Sequence, residues 1–241
     1  MPTQDFFGYR IYAGSSENLL NEARLRALSG RRLVIFAMNP RKYVSAFEDS
    51  QVRSALGFAD ILIADGVGIT AVSRIANGRA LERIPGIDLM DRLLGVFSSI
   101  SSPVFFYGAR PSILDRAMAD IRKRHPSLII AGSLDGYACS EADAVRTIGE
   151  SGAKCLFVAL GSPKQEMFIA EALPSLAGVT FAMGIGGSLD VVSGEVARAP
   201  ALMRRLGLEW MHRLLMQPSR ARQNHMGKYL FLIAKERFFR K

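Results

Sequence analysis

Short runs of consecutive apolar residues recur along the chain, separated by stretches in which apolar residues stand three and four apart. The first run, Leu33 to Met38 (LVIFAM), reads as a buried strand. Pro40 then suits the first turn of a helix running to about Leu56. A second strand, Ile61 to Ala64, ends at Asp65-Gly66, and a helix from Val67 to Asn77 stops at Gly78. A third helical stretch covers Ile87 to Phe97. Further strands are expected at Val104 to Tyr107, Leu128 to Ala131, Cys155 to Leu160 and Val179 to Met183. Between them the spacing predicts helices at Pro111 to Arg124, Glu141 to Ser151 and Lys164 to Ala172. Strands that alternate with helices pair in parallel through crossovers. The expected fold class is therefore α/β, a Rossmann-like doubly wound core of mainly parallel strands. Ligands bind such cores at the carboxyl ends of the strands. That rule singles out the segments after Met38, Ala64, Tyr107, Leu160 and Met183.

The end of the chain has a different pattern. Leu202, Leu206, Trp210 and Leu214 recur at helical spacing between Ala201 and Met216, and Pro218 interrupts them. From Ser219 to Arg240, Met226, Tyr229, Leu230 and Ile233 are expected on one side of a second helix. Both helices are amphipathic and basic.

Composition adds bounds. With 241 residues, 49% of them apolar, the chain can build one α/β domain with an appendage and a sizeable core. Two cysteines, Cys139 and Cys155, are too few for a disulfide framework and suit a reducing compartment. Residues 1–10 show no leader pattern, and no run of 18 apolar residues suggests a membrane span. The net charge of +9 changes the picture more. From Arg198 to Lys241 there are 11 Lys/Arg and 2 Asp/Glu, whereas the rest of the chain has 20 of each. The expected division is an α/β core at 1–197 and a basic helical membrane-docking appendage at 198–241. An excess placed this way suits a polyanionic partner, either nucleic acid or an anionic membrane.

Four constellations could carry chemistry. Asp65-Gly66-Val67-Gly68 sets a carboxylate at a strand end, fit to accept a proton from a hydroxyl or to cap the following helix. Gly161-Ser162-Pro163-Lys164-Gln165-Glu166 leads from a strand into a helix N-terminus. It suits a phosphate or sugar oxygen, or equally a Ser162 cap followed by Pro163. Gly184-Ile185-Gly186-Gly187 with Asp190 permits close backbone approach and a ribose contact, or is a plain tight turn. Arg83, in Arg83-Ile84-Pro85-Gly86, is either a diphosphate ligand or a surface arginine. The sequence has no Asp-x-Asp, no zinc-spaced His/Cys cluster, no Walker loop and no Gly-x-Ser-x-Gly.

Taken in order, these segments resemble the WecG/TagA/CpsF glycosyltransferases from about Asn39 to Arg220. The resemblance continues through Arg198-Ala199-Pro200, Gly207-Leu208-Glu209-Trp210, Arg213-Leu214, Pro218 and Arg220. It implies an inverting, metal-independent hexosyltransferase without a cofactor. The reaction would move a hexose or N-acetylhexosamine from a UDP-sugar to an undecaprenyl-diphosphate-linked sugar in cell-surface polysaccharide synthesis. On this resemblance Asp65 is the general base, and Asn39 and Gln165 lie near the donor sugar. Gly161 and Gly186 mark the strand ends from which UDP leaves, and Tyr137 and Asp190 lie near the uridine. Arg83, Arg213 and Arg220 hold the acceptor diphosphate. The tail would dock on the anionic inner face of the plasma membrane, giving a cytoplasmic, peripheral enzyme; a homo-oligomer is left open. The sequence departs from the family pattern at Ala37, Gln217 and Gln223. Two other classes stand beside this reading: a nucleic-acid-binding module using the tail, disfavoured by the tail's apolar faces, and a non-catalytic nucleotide-binding regulator.

Overall fold

The computed structural model describes residues 1–78, 80–205, 209, 211 and 220–239; for 77, 205, 220–224, 238 and 239 it describes the backbone only. The chain opens with a hairpin, β1 (Thr3–Phe6) and β2 (Tyr9–Tyr12), joined through Phe7 and Gly8 at positive φ. Such a two-residue turn matches the twist of antiparallel strands. Helix α1 (Ser16–Ser29) follows, capped by the Ser15 hydroxyl and closed by Gly30 in the left-handed conformation.

The repeating part begins at β3 (Leu33–Met38), every residue of which is buried. Next come α2 (Pro40–Glu48) and α3 (Ser50–Gly57), where the pattern suggested one helix. Asp49 separates them: its backbone is extended, and its carboxylate accepts from the N–H groups of Gln51 and Val52. The chain continues through β4 (Ile61–Ala64), α4 (Val67–Asn77), α5 (Gly86–Ser99), β5 (Val104–Gly108), α6 (Pro111–Arg124) and β6 (Ile130–Leu134). Then come α7 (Glu141–Glu150), β7 (Cys155–Ala159), α8 (Lys164–Ala172), β8 (Phe181–Gly184), α9 (Ser188–Val192), α10 (Ala201–Arg205) and α11 (Arg220–Phe239).

All strands join one sheet, ordered β1-β2-β4-β3-β8-β7-β5-β6 and parallel from β2 onward. The expected Rossmann-like α/β class is therefore the observed one. One core packs α2, α3, α4, α7, α8 and α11 on the sheet; the other packs α1, α5, α6 and α9 on its opposite face. Helices of the first layer connect β3 to β4, β6 to β7 and β7 to β8. In the second, α6 connects β5 to β6, and α5 returns the chain to β5 after β4 and α4, as right-handed crossovers in the two directions require. After β3 the chain enters the first layer, and after β8 the second. The crevice between the ends of β3 and β8 is thus the topological switch point, where ligands bind in open α/β sheets.

The C-terminal helix differs from expectation. Tyr229, Leu232 and Ile233 of α11 belong to the first core, with Met226 packed against it, and the helix lies on α2. The Tyr229 ring meets Tyr43 edge-on at 5.7 Å, and its hydroxyl donates to the Gly68 carbonyl at 2.8 Å. Met226, Tyr229 and Ile233 of the stripe expected to face lipid are thus turned inward, because α2 offers them an apolar surface to cover. Leu230 and Phe231 remain exposed. Trp210, Leu206 and Leu214, expected on the first tail helix, lie outside the described residues. Among the described residues no helix is long and apolar enough to cross a membrane.

Candidate active site

Met38 and Ala64 are register partners, so Asn39 and Asp65 leave the sheet side by side at the carboxyl ends of β3 and β4. The Asp65 N–H donates to the Met38 carbonyl at 2.9 Å and extends the strand ladder by one rung. The cap position of α4 is held by Gly66 at φ 105°, and no side chain caps that helix. Asp65 therefore stands one residue short of the cap position. Gly66 permits the turn because its conformation is closed to most side chains. Asn39 does cap: its Oδ1 accepts from the Lys42 N–H at 3.0 Å, with Pro40 at the first helical position. The two turns are locked together, since a Cβ on Gly68 would come within 2.6 Å of the Pro40 ring. Tyr229 covers this contact from α11. Burial pushes the Tyr229 hydroxyl well above its ordinary titration range, and the nearby Tyr43 adds to the shift.

Arg83 reaches the same edge, because the neighbouring Ile84 N–H donates to the Ala64 carbonyl at 2.9 Å. Its guanidinium is half-buried and tied to the tail. Nη2 donates to the Arg204 carbonyl at 2.6 Å, and Nη1 lies 4.0 Å from Glu209 Oε1, an ion-pair contact too long for a hydrogen bond. It is not a loose surface arginine. Arg213 lies outside the described residues, and Arg220 opens α11 with its side chain undescribed.

On the other side of the crevice, Gly161 takes φ 77° and its carbonyl accepts from the Gln165 N–H. Pro163 precedes α8, and neither it nor Ser162 gives that helix a side-chain cap. Gln165 is closed off, with 1% of its surface exposed. Its Oε1 accepts from the Gly186 N–H at 2.8 Å, and its Nε2 donates to Glu166 Oε1 at 2.7 Å. Gly186 turns the chain at φ 53°, and Asp190 follows in the first turn of α9, half-buried. Tyr137, 76% exposed, belongs to the loop after β6. Five strand spacings separate β6 from β4, roughly 24 Å along the edge. The structure thus gathers Asn39, Asp65, Arg83, Gln165, Gly186 and Asp190 around the β3/β8 crevice and its neighbouring strand ends. Gly161 stands one strand further along, and Tyr137 is remote from Asp65.

Sequence reasoning missed several groups. Lys42 and Glu166 form a buried ion pair, with Nζ 2.6 Å from Oε1. No pattern in the sequence signals it, because each residue type is ordinarily a solvated helix position. Beyond β5, Arg116 and Arg110 converge on Glu195 and hold its carboxyl below the usual carboxylate range. Among the described residues, no three or more His, Cys, Asp or Glu side chains group so as to hold a metal ion.

Open α/β sheets bind ligands at such switch points, and this crevice brings together an amide, a carboxylate and glycine-lined turns. Comparison with known proteins supplies the class. The family model "Glycosyl transferase WecG/TagA/CpsF family" matches residues 4–241, and the chain belongs to this glycosyltransferase family. It is 36% identical over 204 residues to the N-acetylglucosaminyldiphosphoundecaprenol N-acetyl-beta-D-mannosaminyltransferase of Bacillus subtilis strain 168, covering 84% of this chain and 79% of the relative. The protein of the same description from Bacillus spizizenii strain W23 is also 36% identical, over 83% of this chain and 78% of its own length.

Proposed function

We propose that the chain transfers a hexose or N-acetylhexosamine from a UDP-sugar to a sugar carried on undecaprenyl diphosphate, with inversion and without a metal ion. The observation that carries this reading is the placement of Asn39 and Asp65 on adjacent strand ends beside the switch-point crevice. The two Bacillus relatives carry N-acetylmannosaminyltransferase names with this kind of lipid-linked acceptor, which supports the substrate class.

In the proposed reaction Asp65 accepts the proton of the acceptor hydroxyl. The hydroxyl oxygen forms its bond to the anomeric carbon as that carbon's bond to UDP breaks, and UDP leaves with the electron pair. One displacement inverts the anomeric centre. Asn39, whose carbonyl oxygen is occupied in capping α2, offers its amide nitrogen to the donor sugar. UDP lies along the turns at Gly161 and Gly186, with Asp190 and Tyr137 toward the uridine. Arg83, Arg213 and Arg220 bind the acceptor diphosphate and supply positive charge that a metal would otherwise give. Arg83 already joins the core to the tail, so an acceptor bound there would sit at their junction. The basic tail meets anionic lipid at the inner membrane face, each basic residue near the surface adding about 1 kcal/mol.

The test is product formation from a panel of UDP-sugars with a synthetic lipid-diphosphate N-acetylglucosamine acceptor, with chelator present. A β-linked disaccharide lipid from an α-linked donor supports the reading. No product from any donor, or retention of configuration, contradicts it.

A further inference from the structure

Apart from the Asn39–Asp65 pair, the most unusual feature is a charged cluster that the first core closes over. Lys42 on α2 and Glu166 on α8 are 5% and 0% exposed, yet they form an ion pair 2.6 Å long. The same Glu166 oxygen accepts from Gln165 Nε2, and Gln165 Oε1 accepts from the Gly186 N–H. Four groups therefore run in an unbroken line from α2, which follows β3, to the turn that follows β8. The other Glu166 oxygen is buried with no hydrogen-bond partner among the described residues. Removing two charges from water commonly costs more than their pairing returns. A pair that also leaves an acceptor unsatisfied is a poor source of stability, and its value is better sought in geometry.

The geometry is specific. A carboxylate only accepts and a backbone N–H only donates, so the Gln165 amide between them has one orientation. Its side chain lies flat on Gly184, where a Cβ would come within 2.6 Å of Nε2. Lys42, bound to the same oxygen, holds the carboxylate where it meets that amide. If Gln165 turned or withdrew, the Gly186 N–H would lose its partner at a residue held in the left-handed region.

We infer that Lys42 and Glu166 are positioning residues for the donor: acting through Gln165, they fix the Gly184–Gly187 turn in the shape that receives the nucleotide-sugar. The inference rests on the donor occupying the switch-point crevice, as proposed above.

The paired variant Lys42→Met/Glu166→Met replaces both charges with apolar side chains of similar volume, a change that buried ion pairs often tolerate. It is expected to melt near the wild-type temperature. Amide hydrogen exchange in the segment spanning residues 181–190 should accelerate about tenfold, since the opening is local. Donor KM should rise about three- to tenfold, the effect of one hydrogen bond, with kcat largely kept. Gln165→Met, with the ion pair intact, should give the same two changes. All three substitutions together should add nothing, because they break one line of contacts. Unchanged exchange in residues 181–190, or KM losses that multiply when combined, would overturn the inference. If the paired variant does not fold, Gln165→Met decides alone: wild-type exchange and donor KM in it overturn the inference. If wild-type protein transfers sugar from no nucleotide donor, the proposed function fails, while the exchange measurement still decides whether the brace exists.

Discussion

The two helix layers that cover the sheet are built from different materials. The layer of α1, α5, α6 and α9 packs Phe97 against Phe157 and Phe181, with Leu89, Leu93 and Leu94 around them, and no charged side chain is among its buried residues. The layer of α2, α3, α4, α7, α8 and α11 buries comparable apolar groups but adds Lys42, Glu166 and Gln165. The difference follows the site. Helix α2 leaves the strand end that carries Asn39, α8 leads into β8, whose following turn holds Gly186, and α11 braces the turn after Asp65 through Tyr229. An apolar layer supplies free energy without direction. Buried hydrogen bonds and charges supply direction at a cost in free energy.

Substitutions can break that contrast. Phe97→Ala, in the apolar layer, should lower stability by about 3–5 kcal/mol through the cavity it leaves. Turnover per folded molecule should be kept, as urea unfolding beside transfer assays would show. Lys42→Met alone should cost a comparable amount, about 3–5 kcal/mol, by leaving the Glu166 carboxylate buried without its cation. It should also raise donor KM, which Phe97→Ala should not. Tyr229→Phe removes one buried hydrogen bond to Gly68 and should cost about 1 kcal/mol, with a small fall in kcat as the Asp65 turn loosens. A loss of stability in Phe97→Ala together with an equal loss of kcat would mean that the layers do not divide the work.

Titration gives a weaker effect of known sign. Burial pushes the Cys155 thiol up from 9.0 to about 12, with the Ser102 hydroxyl opposing, and Tyr229 is also raised. The folded state keeps these protons at a pH where the unfolded chain releases them, so stability should fall as pH rises from about 9 toward 12. At neutral pH an alkylating reagent should label the exposed Cys139 and reach Cys155 only after unfolding.

Much of this architecture was legible in the sequence where one signal was sufficient. The run of six apolar residues at β3 and the helix spans of α4, α6 and α8 emerged with the expected bounds. The N-terminal hairpin and α1 were missed, although Phe7-Gly8, Ser15 and Gly30 are turn and cap signals. Their apolar positions are too sparse to announce strands and a helix. The break at Asp49 was hidden because its carboxylate caps a helix that continues the same apolar face. That Asn39, Asp65 and Gly186 would stand just beyond the ends of β3, β4 and β8 was legible. That Gln165 would be sealed away was not, because its burial depends on Lys42 and Glu166 meeting across helices 124 positions apart. Nor was the inward turn of α11, since an amphipathic stripe looks alike whether it will meet lipid or a neighbouring helix.

In the proposed mechanism the strand-end carboxylate performs the chemistry and the layers behind it hold it in place. Asp65→Asn tests this most directly, measured by transfer from the best UDP-sugar donor to the lipid-diphosphate acceptor, beside thermal unfolding of the same sample. With Asp65 as the base, the melting temperature should stay unchanged and kcat should fall about 10²–10⁴-fold. Near-normal turnover by a fully folded Asp65→Asn protein would contradict that role.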